Sequence, residues 1–318
     1  MNRYIKTMLV MVLSAPLLCA VSYYTVEPGF EAYGGANKAR IENSTAVRYN
    51  PASLPYMTGD GTSLYYHIPS TAKSGRETVL DSSYAFLSFG KMIAPKDALG
   101  ISLVSSVESG LDGRDASGVM TGEFSSIEEN LDISYGKLFS KYLSLGLKTS
   151  FRYTRIANYQ YVSLHTGLAL GINIKQALYF SLLGDDLLST RGSLIGSDYR
   201  NPRRFAASVT FAPGQLWSAS ATAGYVMDGQ FFVNAGTAMR IRRAVSFYID
   251  YENYTEMHHN VLENKGTLDG NYSTVTYFFR ELGGGLAFTH RRTTFDYSLK
   301  FHRELGLSHN IGVSLKIK

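Results

Sequence analysis

Alternation with a period of two constrains this chain more than any other feature. Leu143, Leu145, Leu147, Thr149, Phe151 and Tyr153 alternate with Ser144, Gly146, Lys148, Ser150 and Arg152. Phe295, Tyr297, Leu299 and Phe301 alternate with Asp296, Ser298, Lys300 and His302. Ile311, Val313, Leu315 and Ile317 alternate with Gly312, Ser314, Lys316 and Lys318. A strand sends such a series to two opposite faces, whereas a helical step of about 100° would scatter it around the surface. The pattern predicts fourteen strands, near 62–69, 82–91, 97–109, 122–139, 142–156, 161–173, 177–184, 204–212, 217–227, 231–241, 243–254, 280–290, 293–303 and 306–317. Most reach the roughly 9–11 residues with which a tilted strand crosses a bilayer.

The connections sort by length. Counted from the first strand, the odd ones include every long one: 70–81, 110–121, 185–203 and 255–279. The even ones, at 92–96, 140–141, 174–176, 213–216, 242 and 291–292, are all short. A soluble sandwich has no reason to collect its long loops at one end. A membrane barrel does so, with tight turns on one side and longer loops on the other. The polar rows agree: Asp132, Lys148, Arg152, Asp250, Asp296 and Lys300 fall opposite apolar rows such as Trp217, Ala219, Ala221, Ala223 and Tyr225. A soluble barrel would reverse that polarity. The fold class is therefore all-β, a transmembrane antiparallel barrel of about fourteen strands spanning residues 61–318.

Composition narrows the function classes. Charged residues make up 18 % of the chain and aromatics 13 %. Residues 1–22 read as a signal peptide, with Arg3 and Lys6 before the apolar run Met8–Leu18, and Ala20-Val21-Ser22 as the cleavage region. Removing it leaves 29 basic residues against 26 acidic ones, too even a balance for nucleic acid. The one cysteine, Cys19, sits at the end of the signal behind a poor lipobox, Pro16-Leu17-Leu18, so the mature chain is read as free of disulfides.

Residues 23–60 carry no strand period. Fourteen strands enclose more space than side chains fill, since ~8 already make a filled interior. The segment is thus expected to plug the lumen, with a short helix near Ala36–Glu42 stopped by Asn43, and a turn at Asn50-Pro51.

Three elements here carry a resemblance to a known family: Gly29-Phe30-Glu31-Ala32, Gly34-Gly35-Ala36, and Ala46-Val47-Arg48-Tyr49-Asn50-Pro51-Ala52-Ser53-Leu54. Together they resemble the hatch of FadL-type outer-membrane transporters, including the related spirochaete and Bacteroidetes barrels, with Asn50, Pro51 and Ala52 matching the hatch motif. The chain departs from that family in its shorter loops and in ending on Lys318 rather than an aromatic. The resemblance implies a bacterial outer-membrane location, assembly by the barrel-assembly machinery, contact with outer-membrane lipid, and passage of hydrophobic solutes such as long-chain fatty acids. A scaffold or shuttle barrel binding exported proteins, or a surface antigen, stays as the alternative. Arg48, Lys148, Arg152 and Lys300 are candidates for a ligand head group, or for ion pairs with Asp132, Asp250 and Asp296 inside the lumen. A continuous apolar groove beside the hatch would favour transport, and a salt-bridged lumen the scaffold.

No enzyme is expected, and no cofactor or metal. The chain has no Gly-x-Ser-x-Gly elbow and no phosphate loop. His258-His259 reads as part of a solvated loop, and Gly184-Asp185-Asp186 as a turn. His165, His290 and His302 lie on strands, with no serine singled out as a partner.

Overall fold

A computed structural model gives the architecture. It describes residues 39, 41–57, 59–68, 81–114, 119–157, 159–174, 177–190, 192–194, 197–199, 203–214, 216–227, 230–241, 244–259, 272–276, 281–302 and 306–317. The signal peptide, Cys19 and the two glycine elements of the hatch motif lie outside them.

The strands are β1 (Gly61–Ile68), β2 (Asp81–Ala94), β3 (Asp97–Arg114), β4 (Met120–Ser140), β5 (Leu143–Ile156), β6 (Tyr159–Ile174), β7 (Leu178–Ser189), β8 (Gly192–Leu194), β9 (Ser197–Tyr199), β10 (Arg204–Phe211), β11 (Trp217–Val226), β12 (Gln230–Ile241), β13 (Val245–His259), β14 (Tyr272–Thr276), β15 (Glu281–His290), β16 (Thr293–His302) and β17 (Gly306–Lys316). Fourteen of them form one antiparallel wall, β8 and β9 make a separate hairpin, and β14 only extends β13. The wall closes where β1 meets β17, from Gly61 opposite Lys316 to Ile68 opposite His309. Among the described residues, closure leaves the fourteen-stranded wall without an edge strand, which a bilayer requires.

Polarity is inverted relative to a soluble protein. On β4 and β5, Ile133, Leu145, Leu147 and Phe151 are exposed, while Asp132, Ser134, Ser144 and Ser150 are buried. Asp250, Asp296 and Lys300 are buried on the far side of the barrel. The apolar rows form a continuous outer surface far beyond what a soluble monomer exposes. They face lipid, and the polar rows face the lumen. The row from Trp217 through Ala221 and Ala223 lies on that outer face, opposite the buried Thr222.

Three expectations change at the ends of elements. First, strands continue into segments read as loops. β3 runs to Arg114, β7 to Ser189 and β13 to His259, so His258-His259 belongs to a strand paired with β14. Backbone pairing does not depend on lipid, so hairpins project beyond the apolar belt where the sequence is already polar. Second, Gly184-Asp185-Asp186 is not a simple turn but a bulged part of β7. Third, residues 36–38 and 40 of the expected helix lie outside the described residues, Ile41 and Glu42 are not helical, and the first helix among the described residues is α1 (Ala46–Tyr49). Asn43 starts this turn rather than stopping one: its Oδ1 accepts the Thr45 N–H at 3.0 Å and the Thr45 hydroxyl at 2.5 Å.

The lipid face gives a direct test. Leu147 is 48 % exposed on the outer face of β5. Leu147→Arg should destabilise the barrel in vesicles by about 2–4 kcal/mol. A neutral result in a denaturant titration would place Leu147 away from lipid.

Candidate lumenal site

The segment from Ile41 to Met57 lies against the inner face of the wall. It is built around one proline. Pro51 requires an extended residue before it, and Asn50 complies with φ −153° and ψ 86°. Pro51 then opens a 3-10 helix, Pro51–Tyr56. The Asn50 carboxamide oxygen accepts the Ala52 N–H at 3.1 Å, and the Asn50 N–H donates to the Ala46 carbonyl at 3.1 Å. Asn50, Pro51 and Ala52 thus form a buried junction between α1 and the 3-10 helix.

Glycines on the wall let this junction approach closely. A Cβ on Gly100 would collide with the Val47 side chain, one on Gly136 with the Pro51 carbonyl, and one on Gly146 with the Ala52 nitrogen. One on Gly90 would strike the end of Met57. Gly90 pairs with Gly100 and Gly136 with Gly146, so the strand register gathers them into one patch across β2–β5. These glycines lie in the inward phase of their strands, within a few residues of the short turns. At ~3.3 Å per residue, the seat is roughly 10–15 Å inside the short-turn end.

Polar bonds surround the seat. Ser88 Oγ donates to Ser44 Oγ at 2.8 Å, and Ser44 Oγ to Ser63 Oγ at 2.9 Å. Ser134 Oγ donates to the Val47 carbonyl at 2.5 Å. Lys148 Nζ donates to the Arg48 carbonyl at 2.8 Å. The Arg48 guanidinium pairs with Asp132 at 2.8 Å, and both side chains are nearly fully buried. Ser102 and Ser150 also donate to the Asp132 carboxylate, at 2.9 and 2.5 Å.

Further from the short turns, on β4–β7, the inner face is a column of paired charges. Lys148 pairs with Asp185 at 2.6 Å. Arg152 Nε lies 2.8 Å from Asn130 Oδ1 and 3.3 Å from Glu128 Oε1. His165 lies between Ser163, whose Oγ is 2.7 Å from its Nε2, and Asp186, whose Oδ1 is 2.9 Å from its Nδ1. A regular strand would send Asp185 and Asp186 to opposite faces. Here the register slips from Thr166–Leu188 to Leu168–Gly184, and Asp186 takes a left-handed φ of 55°. The resulting bulge lets both carboxylates pair with lumenal side chains.

A second patch is apolar. Tyr84, Phe86 and Val104 from β2 and β3 pack with Tyr248 of β13 and Ala287 of β15. Tyr49 of α1 reaches this cluster, its ring centroid 6.1 Å from that of Phe86. The lumen beside the inner segment thus carries an apolar cluster on one side and an ion-paired column on the other, with buried Asp250 and Asp296 on strands that carry or adjoin the apolar cluster.

The structure thus brings Arg48, Lys148 and Arg152 into one column and leaves Lys300 buried on β16, apart from it. Sequence reasoning missed two features. Glycines recurring at inward positions 90, 100, 136 and 146 were a legible sign of close backbone approach. Ser163 was legible as a partner for His165 from the two-residue spacing, but Asp186 reaches them only through the bulge.

The buried ion pair predicts a specific energetic pattern. Arg48→Met, which strands the Asp132 carboxylate, should cost about 3–5 kcal/mol, and much less beside Asp132→Asn. Denaturant titrations of the single and double variants check this. Independently, Ser44→Cys with Ser88→Cys, in a chain whose Cys19 is replaced, should oxidise to a disulfide. Failure to form it would remove the inner segment from this seat.

No protein-family model matches the chain, and no curated protein sequence matches it. Solved structures do match over nearly its whole length. A "CymD monoaromatic hydrocarbon channel" is 11 % identical with a TM-score of 0.66, over 91 % of this chain and 97 % of that one. The toluene transporter TodX of Pseudomonas putida is 10 % identical with a TM-score of 0.63, over 93 % and 97 %. A FadL homologue of Pseudomonas aeruginosa is 10 % identical with a TM-score of 0.63, over 95 % and 100 %. These neighbours are transport proteins and not enzymes, and the chain has their fold: the closed fourteen-stranded barrel of the FadL type.

Proposed function

We propose that this protein is an outer-membrane channel that takes up hydrophobic solutes, with residues 23–60 as a hatch that closes its short-turn end. One observation carries the reading: the inner segment is seated on the wall and its Tyr49 borders the apolar cluster around Phe86. An apolar solute reaching the hatch would meet the rings of Tyr49, Phe86 and Tyr248, and its removal from water supplies the binding energy. The hydrocarbon channels that share the fold support the same solute class. The work is passage, not catalysis.

The finer reading, a long-chain fatty acid, needs a cation for the carboxylate. Arg48 and Lys148 are committed to tight pairs at 2.8 and 2.6 Å. Arg152, 3.3 Å from Glu128, is the one a carboxylate would draw away most easily. A second reading draws on the ion-paired column of β4–β7, which suits a closed scaffold barrel for exported proteins.

Uptake by vesicles carrying the folded protein separates these readings. Labelled toluene and a long-chain acid should enter faster than glucose. Phe86→Asp should lower both apolar rates several-fold, and Arg152→Gln should lower only that of the acid. Equal rates with and without the protein, together with co-purifying exported proteins, would favour the scaffold.

A further inference from the structure

The outer rim at the short-turn end of the barrel carries an excess of cations. Consider the short turns and the four strand residues on either side of each. Lys91 and Lys96 flank the β2–β3 turn, and Lys137 and Lys141 the β4–β5 turn. Arg240 stands at the end of β12, Arg291 and Arg292 form the β15–β16 turn, and Lys316 ends β17. Against these eight cations stand three carboxylates among the described residues, for a net +5. None of the three faces outward alone. Asp97 pairs with Lys137 at 3.2 Å, Asp60 accepts the Met92 N–H at 3.0 Å, and Asp296 is buried on the inner face. The sequence puts Lys175, Arg242, Arg243 and Lys318 in the same connections and at the C-terminus.

The cations are joined to the lipid-facing belt. Lys141 lies 4.8 Å from the Tyr142 ring centroid and Lys137 lies 6.0 Å from that of Phe139, and both rings are exposed. Trp217, Phe288 and Phe295 expose further rings at the same level. Aromatic rings above a row of cations mark the depth at which hydrocarbon gives way to headgroups. Among the described residues, the cations come from four of the six short connections and from the end of β17, an arc running from β12 through the β17–β1 closure to β5. A single globular partner covers one sector of a rim, whereas an arc that spans ten of the fourteen wall strands suits a lipid annulus.

We propose that this rim binds the phosphate headgroups of anionic phospholipids in the leaflet on the short-turn side. The proposal rests on reading the wall as membrane-spanning. The field of the ring concentrates anionic lipid against the barrel and fixes its depth through charge attraction within a Debye length.

The test uses the full folded chain in phosphatidylcholine vesicles with and without phosphatidylglycerol. A shifted band on unboiled gels reports insertion, and mass spectrometry of detergent-extracted barrel reports the lipid retained. The expected result is retention of phosphatidylglycerol over phosphatidylcholine by roughly tenfold or more, lost at high salt. The variant Lys96→Gln/Lys141→Gln/Arg240→Gln/Arg291→Gln should insert normally and lose the preference. Equal retention of the two lipids overturns the proposal, as does a preference that survives the four substitutions. Capture of a soluble acidic protein in place of the lipid overturns it too. Should the variant fail to insert, salt titration of the unaltered protein decides. No shifted band in any vesicle would instead overturn the membrane-spanning reading itself, a result distinct from loss of lipid preference.

Discussion

The buried pair between Arg48 and Asp132 is the interaction on which the arrangement of the lumen depends. Asp132 is fully buried on β4, and Arg48 belongs to a segment 84 residues earlier in the chain. Removing two charges from water is costly, and their attraction compensates only where geometry and further hydrogen bonds are good. Both conditions hold: Ser102 and Ser150 complete the carboxylate's shell, while Lys148 holds the Arg48 carbonyl. The pair therefore fixes register more than it adds stability. It selects one rotation of α1 against the wall, and that rotation sets Val47 over Gly100 and Pro51 over Gly136.

The fold was largely legible in the sequence because lipid and lumen impose opposite demands on alternate residues. All fourteen wall strands lie where the period-two pattern puts them, and a one-residue slip in any would have exposed a residue such as Asp132 or Lys300 to lipid. The loop-end hairpins were harder to read, since Asp112 and Glu123 pair across β3 and β4 in water without an apolar row. The expected helix near Ala36–Glu42 lies largely outside the described residues, and only its end can be judged: Ile41 and Glu42 are not helical, for a local reason. Asn43 has the same composition signal whether it ends a helix or caps the turn before one.

The lumen was only partly legible. Arg48, Lys148 and Arg152 could be named from their phase, but not their partners, because partners depend on which strands meet the inner segment. The Asp185–Asp186 bulge breaks the alternation that makes a strand readable, and it supplies carboxylates to both Lys148 and His165. Charge column and apolar cluster together give the lumen two unlike sides. The ionic side holds the inner segment through Arg48 and Lys148, and the apolar cluster lies beside its Tyr49.

The central claim is that the inner segment closes the barrel. Conductance across a planar bilayer measures this most directly, comparing the full chain with one lacking residues 41–57. The account predicts little or no current from the full chain and large, stable steps from the shortened one. Equal conductance from the two proteins would contradict it.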